Sequence, residues 1–116
     1  MKTDRILALA DYIESSKNYN HESSIIDGER DCGCAASHTV RLFWPKWAKI
    51  RKHSSMYDLE KALGIDIPQA EDIFRQPLFK GEYIAPTSKQ VAKVLRNLTI
   101  DGRVNWSPIL NQEEIR

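Results

Sequence analysis

Apolar residues recur at helical spacing along most of this chain and alternate like a strand in only two short places. In TDRILALADYIES, residues 3–15, Ile6, Leu9, Ala10 and Ile13 fall on one face, so the spacing predicts an amphipathic helix with Thr3 or Asp4 as its N-cap. The polar stretch SKNYNHESSIIDGERD then reads as a loop with an Asp-Gly turn, interrupted by Ile25 and Ile26 in a short extended piece. A second helix is expected over 34–44, capped by Asp31 and burying Ala36, Thr39, Val40 and Phe43. Pro45 ends it or restarts it as PKWAKIRK, because proline suits a first helical turn.

Three further helices follow. SMYDLEKALG carries Ser55 and Asp58 in a capping-box arrangement and Gly64 as its stop. DIPQAEDIFRQP is shorter, opened by Pro68 and burying Ala70, Ile73 and Phe74. In PTSKQVAKVLRNLTIDGRVNW, Thr87 and Gln90 form another capping box, and Val91, Val94, Leu95 and Leu98 share a face. LFKGEYIAP has strand-forming residues around a glycine. After a turn at Asp101-Gly102, RVNW alternates like a strand that would pair with EYI. The expected fold is therefore mainly α: a single compact domain of about five short helices, with at most a small two-stranded β element. It would occupy residues 1–110, with 111–116 as a flexible tail.

Composition narrows the class. With 41% hydrophobic and 28% charged residues among 116, the chain has the make-up of one ordinary globular domain. No apolar run approaches the ~18 residues needed to span a bilayer, and acids interrupt the N-terminal helix where a signal peptide would be apolar. A cytoplasmic location without a membrane partner is expected, and there Cys32 and Cys34 stay reduced. Net charge is only +1, but its distribution is uneven. Between Cys32 and Tyr57 there is no acid and five basic residues; the rest of the chain holds twelve of the seventeen basic residues and all sixteen acids, a net of −4.

The segment RDCGCAASHTVRLF, residues 30–43, is the main candidate for chemistry. It resembles the active-site segment of bacteriocin-processing cysteine proteases, and by that match Cys32 would be a nucleophile activated at a helix N-terminus. No histidine follows His53, and His38 lies on the same helix as Cys32, pointing elsewhere, so a positioned base is missing. Cys32, Cys34 and His38 are also possible zinc ligands, with His21, Asp31 or His53 as a fourth, but this spacing is not one of the strong zinc patterns. The favoured reading is architectural: two small semi-apolar residues at a helix start, with His38 at the core edge or in water. No catalytic residue, metal or other cofactor is assigned, and a cysteine hydrolase or small zinc-binding protein is the weak alternative.

Taken whole, the order of signals resembles a family of small, largely uncharacterised bacteriophage and prophage proteins. Its R-L-L-x-L-A-D-x-L-E start is matched by RILALADYIE, and its Cys-Gly-Thr-x-Ala-Cys segment partly by CGCAASH. The later "LGL", A-x-x-L-F-x-P and T-x-x-x-V-A-x-x-L-R-x-L signals are similar to ALGI, AEDIFRQP and TSKQVAKVLRNL. Ser37 stands where the family has its second cysteine, Cys34 replaces the threonine, and Val40 replaces a glycine. The resemblance implies a small accessory protein of the host-cell cytoplasm, and it brings no catalytic residues with it.

The surface most expected to meet a partner is RLFWPKWAKIRKH, residues 41–53. There Arg41, Lys46, Lys49, Arg51 and Lys52 interleave with Trp44 and Trp47. Indoles anchor protein interfaces and also stack on bases, and cations neutralise phosphates, although buried indoles beside solvated lysines would give the same pattern. A second basic face, Lys89, Lys93 and Arg96, lies at i, i+4 and i+7 on a capped helix followed by Asp-Gly, an arrangement like a winged-helix recognition helix and wing. The expected function is non-enzymatic binding of a host or phage protein, occluding or inhibiting it, with DNA binding as the alternative.

Overall fold

A computed structural model describes residues 1–17, 19, 21, 38, 39, 42, 43 and 56–114 of the chain. Among these residues the protein is mainly helical: α1 (Thr3–Glu14), α2 (Met56–Leu63), α3 (Ile67–Phe74), α4 (Ser88–Asp101) and α5 (Ser107–Glu114). A hairpin of β1 (Leu78–Phe79) and β2 (Glu82–Tyr83) separates α3 from α4. His38, Thr39, Leu42 and Phe43 also have helical backbone, and they lie within the helix expected over 34–44. Thr39 is buried there, and Leu42 and Phe43 pack partly buried against the core.

α1 lies along α4, and the faces read from periodicity are the ones that meet. Ile6, Leu9, Ala10 and Ile13 are fully buried, as are Val91, Leu95 and Leu98. Leu59, Ala62 and Leu63 of α2 and Ala70, Ile73 and Phe74 of α3 close the same core. Burying each leucine, isoleucine, valine or phenylalanine side chain among these contributes about 1.5–3 kcal/mol.

The ends of the helices determine how they are joined. α1 begins one residue before the expected caps: Lys2 is its N-cap, with no side-chain bond. The Lys2 amide instead donates to Leu63 O at 2.9 Å, and Arg5 Nη1 donates to Ala62 O at 3.0 Å. Two carbonyls at the end of α2, unpaired by helix geometry, are thus satisfied by the start of α1. Gly64 makes this junction possible. Its φ is +66°, and a Cβ there would lie 2.9 Å from Lys2 N.

α3 starts with a reciprocal capping box, in which Gln69 N donates to Asp66 Oδ1 and Asp66 N donates to Gln69 Oε1. Gln69 Nε2 also donates to Gly102 O at 3.1 Å, joining the start of α3 to the end of α4. The Thr87–Gln90 box opens α4, and Gly102 at φ +75° ends it.

One expectation changes. β2 pairs with β1, in the register Leu78↔Tyr83 and Phe79↔Glu82, and not with residues 103–106, which are not strand. Lys80 and Gly81 both have positive φ, 53° and 84°, the signature of a type I′ turn that closes a two-residue hairpin locally. Residues 103–106 instead lead into α5, whose first turn is closed by Ile109 N and Leu110 N donating to Trp106 O. α5 runs from Ser107 to Glu114. Ile109 and Leu110 are buried.

Candidate functional site

Polar and aromatic side chains from three parts of the chain converge beside the core. His21 and His38 are both buried, each 2% exposed, and the ring of Tyr19 lies between them, with centroids 5.8 Å and 5.1 Å away. His38 is therefore not at the core edge or in water. A partner for its ring makes the burial tolerable: Nε2 lies 2.7 Å from Ser16 Oγ, with the edge-on rings of Tyr12 and Tyr19 around it.

The protonation of His21 follows from its partners. Nε2 lies 3.1 Å from Arg75 O, and a carbonyl can only accept, so Nε2 carries the proton. Nδ1 is then the acceptor, and the Tyr19 hydroxyl donates to it. Burial pushes the His21 pKa below its ordinary value, opposed by the backbone carbonyls of Arg75 and Ile73, so the neutral ring is the stable form. The ring also packs edge-on against Trp106 at 5.6 Å, and Trp106 Nε1 donates to Asp72 O at 2.7 Å.

Trp106 connects this cluster to a surface cleft of about 420 Å3, which runs between the end of α3 with β1 and the connection from α4 to α5. Asp72, Arg75 and Leu78 lie along one wall, and Val104, Trp106 and Ser107 along the other. Glu71 and Arg75 form an exposed pair at 4.0 Å, and Asp72 adds a second carboxylate, so the lining is net negative among the described residues. At the cleft's edge Leu78 is 63% exposed, and Tyr83, opposite it in the hairpin, is 73% exposed.

The second basic face does not point outward as a unit. Arg96 Nη2 lies 2.8 Å from both Asp11 Oδ1 and Glu14 Oε1, clamping α4 to α1. The hydrogen bond and charge of Arg96 lower the Glu14 pKa. Lys89 and Lys93 are exposed on the same helix. The strand expected to follow as a wing is not formed, since residues 103–106 are not strand.

The stripe residues Arg41, Trp44, Lys46, Trp47, Lys49, Arg51 and Lys52 lie outside the described residues, as do Cys32, Cys34, His53 and the expected caps Asp31 and Ser55. Among the described residues, no three His, Cys, Asp or Glu side chains are grouped to hold a metal, and no helix is long and apolar enough to cross a membrane. The cleft was missed from sequence because its walls come from segments about thirty residues apart. The only local cue was Trp106 beside Ser107-Pro108, which marks a helix start. Comparison with protein-family models, with curated proteins and with solved structures finds no match for this chain.

Proposed function

We propose that the protein is a non-enzymatic binding module of phage-accessory type, acting in the cytoplasm by occluding or recruiting another protein. The observation that carries this reading is the exposure of Leu78 and Tyr83, facing one another across a short hairpin at the edge of a cleft that Trp106 helps to line. Exposed aliphatic and aromatic side chains next to a partly apolar recess are what protein interfaces use as anchors. The basic and aromatic residues between Arg41 and Lys52 are a second candidate contact set, by their sequence alone. The Lys89–Arg96 face supports DNA binding less well, because Arg96 is already held by two carboxylates of α1.

A tagged pull-down from host lysate, with and without nuclease, tests the reading. A captured protein that survives nuclease is expected, and it should be lost with L78S/Y83S or with Lys49, Arg51 and Lys52 changed together to glutamate. Capture that disappears with nuclease would move the assignment to nucleic acid.

A further inference from the structure

The hairpin's hydrogen-bond alternation determines what its outer edge offers. Ile84 N donates to Pro77 O at 3.0 Å, so residues 77 and 84 form a hydrogen-bonded position. Bonded and non-bonded pairs alternate in an antiparallel ladder, so Leu78↔Tyr83 is a non-hydrogen-bonded pair. The N–H and C=O of Leu78 therefore point away from β2, and among the described residues neither makes a hydrogen bond. Leu78 also lines the cleft, together with Asp72, Arg75 and Trp106. An unpaired strand edge beside a recess is the arrangement that accepts an added strand. The charge of the recess narrows the class of strand. Among the described residues that line it, Glu71 and Asp72 stand with one cation, Arg75, which is paired to Glu71, so no described cation pairs with the Asp72 carboxylate.

We propose that the cleft takes an extended peptide segment of the partner, paired to the outer edge of β1 at Leu78, with an apolar side chain over Leu78 and Trp106 and a basic side chain at Asp72. The proposal rests on the binding-module reading and names the chemistry of its partner. In a strand, alternate side chains share a face, so the apolar and basic residues of the bound segment are two positions apart.

The probe is a yeast-displayed library of random linear heptapeptides, selected on the full chain. Enrichment of a basic and an apolar residue two apart is expected. N-methylation along a selected peptide should weaken binding about five- to tenfold at the position bonded to Leu78 and be silent at its neighbours. E71Q/D72N should remove the basic preference. Leu78→Pro, which deletes an N–H the hairpin does not use, should weaken every selected peptide while unfolding near the wild-type temperature. If that variant does not fold, the N-methyl scan and E71Q/D72N decide alone. Enrichment at helical spacing, acidic enrichment, no enrichment, or indifference to E71Q/D72N would overturn the proposal. Should those results coincide with lysate capture of a nuclease-resistant protein, the cleft assignment falls and the binding-module reading stands. Should no protein be captured, that reading falls whatever the peptides do.

Discussion

Single residues in this protein carry consequences that their neighbours in sequence do not announce. Gly64 was expected only as a helix stop, yet it also lets the Lys2 backbone approach to where a Cβ would sit. Gly64→Ala meets both a left-handed φ and a backbone clash, and it should cost about 1–3 kcal/mol in urea unfolding at unchanged m-value. His21 is held neutral by burial against Arg75 O and Tyr19. Its folded-state pKa lies below the ordinary 6.5, so the unfolded chain takes up the proton first as pH falls. Its contribution is therefore complete above pH 6.5 and is lost progressively as pH drops from there through the folded-state value. His21→Gln keeps a donor and an acceptor but does not titrate, so its stability should fall less than the wild type's between pH 7 and 5, read as the difference between two urea-unfolding series. The groups around His21 from the described elements are Tyr19, Trp106 and the Arg75 and Ile73 carbonyls, with His38 beyond Tyr19.

Elements were legible wherever their signals are local. The apolar faces of α1, α3 and α4 and the Thr87–Gln90 box depend on residues within a turn or two of each other, and each is found where the pattern places it. Residues 103–106 were read as a strand because Val104 and Trp106 alternate, and they instead lead into α5. How elements dock was not legible. Arg96 was assigned to an outward basic face, and its guanidinium is instead shared by Asp11 and Glu14 on α1. Arg96→Met should weaken the α1–α4 association slightly at low ionic strength, with the difference from wild type vanishing near about 1 M salt, as followed by thermal melts. The Glu14 carboxyl, held below its ordinary range by Arg96, contributes stability that is present above its ordinary pKa and lost as pH falls through the folded value. That loss should be absent in Arg96→Met.

For the molecule as a whole, stability centres on the contact between α1 and α4, while the candidate contact surface sits beyond the C-terminal ends of α3 and α4. Leu95 is completely buried in this core and does not line the cleft. Leu95→Ala should lower global stability by about 2–5 kcal/mol in denaturant titration. Below its unfolding transition it should leave capture of the protein partner unchanged, and L78S/Y83S should do the reverse. Coincident loss of stability and binding in both variants would mean that core and surface are not separable in this domain.

The sequence by itself determined the mainly helical class, the apolar faces and most helix limits, because helical period, caps and stops are written within a few consecutive residues. Tertiary structure alone decided the partner of β2, the burial of both histidines, the sharing of Arg96 between Asp11 and Glu14, and the existence of the cleft. Each of these depends on residues brought together across the chain: His21 meets Arg75 across 54 positions, and Arg96 meets Asp11 across 85. Packing selects such pairs by shape and by the need to satisfy buried polar groups, and neither leaves a periodic mark in the sequence.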